Sequence, residues 1–168
     1  MTEHLAPRAP EPPIGGDSAT EIERIDENRC WAMLAGTPVG RIGVIVDGAA
    51  EIYPVNYAVD RTSSGTPTIL FRTDPGTKLA GLAKHPRVSL EIDDLDPTDH
   101  TGWSILVKGR AEQVRALTDA DERHRIERIP LHHWYAGPKR HTVRLVPTDV
   151  TGRRISRRDS SSRPARPR

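Results

Sequence analysis

The chain has 168 residues, a formal net charge of +2 and 35% hydrophobic residues, which is enough for one domain with a real core. It contains no apolar run of membrane-spanning length and no signal-peptide core, so the expectation is a cytoplasmic protein with no membrane partner. The single cysteine, Cys30, excludes an internal disulfide and any multi-cysteine metal site.

Both ends are unfit to join a core. Residues 1–19 are rich in proline and glycine and carry no apolar period. Residues 156–168 read Ser-Arg-Arg-Asp-Ser-Ser-Ser-Arg-Pro-Ala-Arg-Pro-Arg. Neither stretch can bury enough apolar surface to offset chain entropy. The expected organisation is a disordered N-terminal segment (1–19), one folded domain (20–155) and a disordered basic tail (156–168). The tail contributes +4 and leaves the rest at about −2, so the sequence pI of 8.9 is largely its property. No nucleic-acid fold motif accompanies it, and nucleic acid is not an expected partner.

In chain order, Asp26 is a good N-cap for a helix over 27–35, with Ile25 and Cys30 at the positions of a hydrophobic staple. Gly36 and Pro38 end that helix. A β-rich run, 39–46, leads into Asp47-Gly48, a strong hairpin signal. The return strand covers 50–59, and Pro54 inside it predicts a bulge or a free edge. A polar turn over 60–67 precedes a strand over 68–72 and a helix over 77–84, which His85-Pro86 stops. A strand over 87–92, an acidic loop from Asp93 to Asp99 and a strand over 103–114 follow. Thr118 is read as the cap of a charged helix over 119–128, and Pro130 ends it. Residues 131–140 read as irregular, the last strand covers 142–146, and Thr151-Gly152 reads as a turn. Short strands joined by hairpins, with few helices and no dinucleotide fingerprint, predict a small closed or split barrel.

The densest chemistry is Phe71-Arg72-Thr73-Asp74-Pro75-Gly76-Thr77-Lys78. A strand ends, a tight loop follows and a helix starts. Backbone N–H groups at a helix start favour anions. Threonine hydroxyls donate to phosphate oxygens, Arg72 offers a bidentate fork and Lys78 a compact charge. A solvated loop before a well-capped helix would carry the same residues.

Three ordered segments bear a resemblance. They are Leu34 to Val44 with its Val-Gly-Arg-Ile core, then Pro54-Val55-Asn56-Tyr57 followed by the 71–79 stretch, and Gly102-Trp103-Ser104 running to Gly109 and Ala111. Over roughly 25–155 the chain resembles the pyridoxamine 5′-phosphate oxidase-like family of flavin-binding proteins. The resemblance implies a mainly β, six-stranded split β-barrel with a few short helices, acting as a homodimer. It implies FMN at the dimer interface, with the phosphate on Arg72, Thr73, Thr77 and Lys78. Pro54, Val55, Asn56 and Tyr57 would line the ring, and Trp103 and Ser104 would border the same groove. A small-molecule substrate or electron donor would complete the system. The arginine- and histidine-bearing C-terminal segment of true pyridoxamine 5′-phosphate oxidases is absent, so vitamin B6 oxidation is not expected. Nitroimidazole-reductase-like relatives carry a histidine where this chain has Arg72. Deazaflavin-using relatives share the phosphate-binding lysine, so a deazaflavin is an alternative cofactor.

Other constellations carry less. His132-His133-Trp134-Tyr135 has no nearby carboxylate to make a metal site; its aromatics would cover a cofactor or a dimer seam. A histidine there is what haem binding by a non-catalytic module would need. The acidic run 93–99 lacks the glycine and glutamate of a calcium loop. Arg41 reads as an ion-pairing residue at the barrel end and Cys30 as a packed core thiol. No side chain is marked as an obligatory catalytic group.

Overall fold

A computed structural model describes residues 20–61, 65–116, 118–129, 131 and 140–158. The element order is β1 (Thr20–Ile25), α1 (Glu27–Gly36), β2 (Val39–Val46), β3 (Ala49–Asp60), β4 (Thr68–Thr73), α2 (Thr77–Lys84), β5 (Arg87–Asp96), β6 (Thr101–Gln113), a 3-10 turn (Val114–Ala116), α3 (Ala120–Glu127) and β7 (His141–Arg157). The architecture is mainly β, as expected. All strand pairs are antiparallel, in the order β1-β7-β4-β3-β2-β5-β6, and β6 also pairs with β7. Six strands, β2 to β7, thus close a ring, and β1 hangs on the far half of β7.

Local chemistry explains most elements. Asp26 accepts from Arg29 N (2.9 Å) and caps α1. Asp47 and Gly48 both have positive φ, as the two-residue turn between β2 and β3 demands. Along β2, Ile42, Val44 and Val46 are buried while Arg41 faces out. These residues join Leu34, Phe71, Leu90 and Val107 in the core inside the ring. A smaller core of Leu70, Val114, Ile126 and Leu131 lies under α3 on the outer side of β4. That is why β4 is buried on both faces.

Four boundaries differ from the sequence reading. β7 does not stop at Val146: Pro147 and Thr148 form a bulge, where the register with β6 slips between Lys108 and Gly109. A proline that would end a regular strand is tolerated there. Gly152 is a strand residue rather than a turn, and β7 runs on through Ser156 and Arg157 to meet β1, so those two residues belong to the sheet. The acidic run is not wholly a loop, since β5 continues to Asp96. α3 is capped by Asp119, which accepts from Asp121 N and Glu122 N, instead of by Thr118.

Candidate functional site

β4 delivers Arg72 and Thr73 to the rim of the ring, and α2 starts four residues later. Between them, Gly76 adopts a φ of 158°, a value side chains rarely take. Gly76 is also the N-cap of α2, so no side chain caps the helix. Its first-turn amides therefore present donors without a side-chain acceptor. The loop faces β3 across a cleft of about 270 Å³, lined by Tyr53, Pro54 and Val55 on one side and residues 72–78 on the other.

The cleft gathers Pro54, Val55, Arg72, Thr73, Thr77 and Lys78 from the sequence-predicted set. Arg72 Nη2 donates to the carbonyls of Glu127 (2.9 Å) and Ile129 (3.5 Å) at the end of α3. Thr73 is buried, and its hydroxyl donates to Asp74 O (3.3 Å). Lys78 Nζ stands 4.9 Å from the centre of the Tyr53 ring. The Tyr53 phenol is hydrogen-bonded to Glu51, which pushes its pKa up.

Asn56 and Tyr57 do not line this cleft. Tyr57 is a core residue whose hydroxyl donates to Leu34 O (2.8 Å), and burial pushes its pKa up. Its N–H donates to Pro38 O (3.3 Å). By antiparallel alternation the polar main-chain groups of Tyr53 and Val55 then also face β2, and those of Ile52, Pro54 and Asn56 face away. β3 pairs with β4 only from Tyr57 onward. Among the described residues, the stretch before it is therefore an edge, and Pro54 sits there in unbroken register with Arg41. Of the two readings of that proline, the free edge holds.

Trp103 and Ser104 lie elsewhere. Trp103 lines a concavity with Asp94, Arg154 and Arg157, and Ser104 lines another with Arg24 and Arg153. Thr73 pairs with His141 and Trp103 with Arg154, near opposite ends of β7, roughly 40 Å of extended strand apart. Within one chain the two predicted groups do not share a pocket. Arg41 is, as expected, an ion-pairing residue: it bonds Glu91 (3.2 Å) and Asp93. Glu91 is pushed up, by burial first and by Asp93 second. Cys30 is fully buried. The His132–Tyr135 cluster and the terminal segments 1–19 and 159–168 lie outside the described residues.

Two polar side chains of the cleft, Tyr53 and Asp74, have no role in the sequence reading. Tyr53 lies two residues before Val55 and so shares its face of β3, which was the available signal. Asp74 sits inside the cradle itself, with Oδ1 buried and unpartnered. Its charge opposes an anion, unlike the donors on either side of it.

The sequence profile of the pyridoxamine 5′-phosphate oxidase family matches residues 26–154. The chain belongs to that family. The matched span contains the whole cleft and begins at the α1 cap, so β1 lies just outside the match. An FAD binding protein from Mycobacterium smegmatis is 36% identical, with 79% of this chain and 98% of that one covered and a TM-score of 0.60. A conserved protein of unknown function from Corynebacterium diphtheriae is 30% identical, covering 79% and 96%, with a TM-score of 0.63. An uncharacterised protein of Mycobacterium tuberculosis is 32% identical over 139 residues, which span 82% of this chain and 88% of that protein.

Proposed function

We propose that the chain is a flavin-dependent oxidoreductase that holds a flavin nucleotide by its phosphate in the 72–78 cradle. The observation that carries this reading is the convergence of Arg72, Thr73, Thr77, Lys78 and the uncapped start of α2 on one cleft. The donor set suits a phosphate: two cations, the Thr77 hydroxyl and helix amides against the single carboxylate of Asp74, with the Thr73 hydroxyl at hand if it turns from Asp74 O. FMN is the smallest flavin that satisfies it. The name of the M. smegmatis relative favours FAD as a second reading, with the same phosphate in the same cradle and the adenylate beyond it.

When bound, the flavin supplies the hydride or electron chemistry. The chain's own residues bind and orient. Lys78 and Arg72 hold the phosphate charge, and the Tyr53 ring backs Lys78. The outward carbonyls of Ile52 and Pro54 and the main chain of Asn56 offer polar groups to the ring along the β3 edge. Vitamin B6 oxidation is not part of the proposal, because the substrate-binding segment it needs was not found in the sequence.

The working unit we propose is a homodimer, in which Trp103 and Ser104 of one copy approach the cradle of the other. Two features support it. The distance along β7 keeps these residues from their own cradle. In addition, Leu95 (60% exposed), Ile155 (36%) and Ile22 (56%) line up across β5, β7 and β1 through Gly102, an apolar row in search of cover.

The test is the visible absorption spectrum of the purified protein after incubation with excess FMN or FAD and desalting. Retained flavin bands support the reading. A protein that retains neither flavin refutes it, and a Soret band in their place points to haem.

A further inference from the structure

Arg72 belongs to two structures at once. It lines the cleft, and its Nη2 holds the last carbonyls of α3. Among the described residues its recorded bonds use that one nitrogen, so the remaining donors of the fork are available to the cleft. Two other attachments of α3 use residues that do not line the cleft. Arg125 grips Asp60, which is 4% exposed, with both nitrogens (2.7 and 2.8 Å). Arg144 holds Glu122 (2.6 Å) and Glu112 (3.0 Å). None of these five residues lines the cradle.

We infer that Arg72 is a positioning residue that couples occupancy of the cradle to the seating of α3. A cation at a helix C-terminus is favoured by the carbonyls it caps. The same planar cation is favoured by a phosphate on its other side. A seated α3 fixes the guanidinium facing the cleft, so an anion arriving there finds it already oriented. By reciprocity, an anion that holds Arg72 in place must hold α3 more firmly. The coupling is therefore positive. It gives α3, which contributes no residue to the cleft, control over how tightly the cleft binds.

This inference rests on the phosphate reading of the cradle, and the experiment separates the two. Amide hydrogen exchange is followed on the full chain, without ligand and with saturating FMN or inorganic phosphate, for the wild type, Arg72→Lys and Asp60→Asn. In the wild type, ligand should slow exchange both at 74–79 and at the end of α3, 124–129. Arg72→Lys keeps the charge but cannot bridge, so it should retain slowing at 74–79 and lose it at 124–129. Asp60→Asn loosens α3 from a distance and should raise the Kd for FMN by about fivefold or more. If Asp60→Asn does not fold, the Arg72→Lys comparison decides alone. Slowing confined to 74–79 in the wild type would overturn the coupling and leave the cradle standing. An unchanged Kd in a folded Asp60→Asn whose α3 exchanges faster would also overturn it. Slowing at neither place would overturn the coupling and the phosphate reading together.

Discussion

Gly152 lies directly against Cys30: a Cβ at position 152 would stand 2.5 Å from the Cys30 sulfur and 2.9 Å from the Ile25 Cβ. The staple that opens α1 closes on bare strand backbone. Gly152→Ala is therefore an overpacking substitution, and its expected cost is about 1–3 kcal/mol. Adding Cys30→Ala makes room and should recover part of that loss, a coupling that denaturant melts of the two single variants and the double variant would read. Strictly additive losses would mean that the contact does not limit the packing.

Lys78→Ala removes the cation that faces both Tyr53 and the cradle. Loss of one charge-assisted bond is worth about 1–3 kcal/mol, so the Kd for FMN should rise about tenfold or more in titration calorimetry. Folding should be little affected, because Lys78 is only partly buried. An unchanged Kd would remove Lys78 from the anchor.

Asp74→Asn should act in the opposite direction. It deletes the one carboxylate in the cleft and keeps the side-chain shape. Affinity for inorganic phosphate should increase severalfold, and the gain should shrink at high salt if it is electrostatic. Weaker binding would show that the carboxylate serves the ligand.

Tyr57 sets an alkaline limit. Burial raises its phenol above the usual 10.0, while the unfolded chain ionises at the ordinary value. Above about pH 10 the unfolded state thus holds fewer protons than the folded one, and stability falls as pH rises. Below that pH the contribution is complete. Tyr57→Phe should cost about 1 kcal/mol at neutral pH, through the lost bond to the Leu34 carbonyl, and should flatten the decline above pH 10. An identical alkaline slope in the variant would assign it to other groups.

Ile155→Lys places a charge in the exposed row formed with Leu95 and Ile22. If a second copy covers that row, sedimentation should shift from dimer to monomer at micromolar concentration, with the secondary structure intact. A variant that remains dimeric would locate the interface elsewhere.

The parts of the fold that could be read in the sequence were those written in local chemistry. Asp26, Asp47-Gly48 and the Ile42-Val44-Val46 alternation each state their own structure. The 77–84 helix was legible because His85-Pro86 ends it. The β7 bulge was not, because Pro147 is a stop signal unless a partner strand tolerates the slip, and that partner lies some forty residues earlier in β6. β1 was missed because Thr-Glu-Ile-Glu-Arg-Ile carries little apolar signal and owes its form to β7. In the site, the cradle loop was legible because its residues are consecutive. The link from Arg72 to α3 was not, since it spans more than fifty positions. Tyr57 reads as a ring-lining residue beside Val55, but β4 covers β3 from Tyr57 onward and its side chain is in the core.

The length of β7 has a consequence for how the barrel can be made. One strand is the partner of β1, β4 and β6, and Thr20 meets Arg157 across almost the whole described chain. During synthesis, β2, β3 and β5 can pair as they emerge from the ribosome, but the sheet cannot close while β7 is still being translated. Its final contacts are the longest-range in the molecule and pay the largest loop-closure entropy. A nascent chain of this protein therefore carries an open sheet edge until residue 157 clears the exit tunnel, and closure of the ring waits on its last strand.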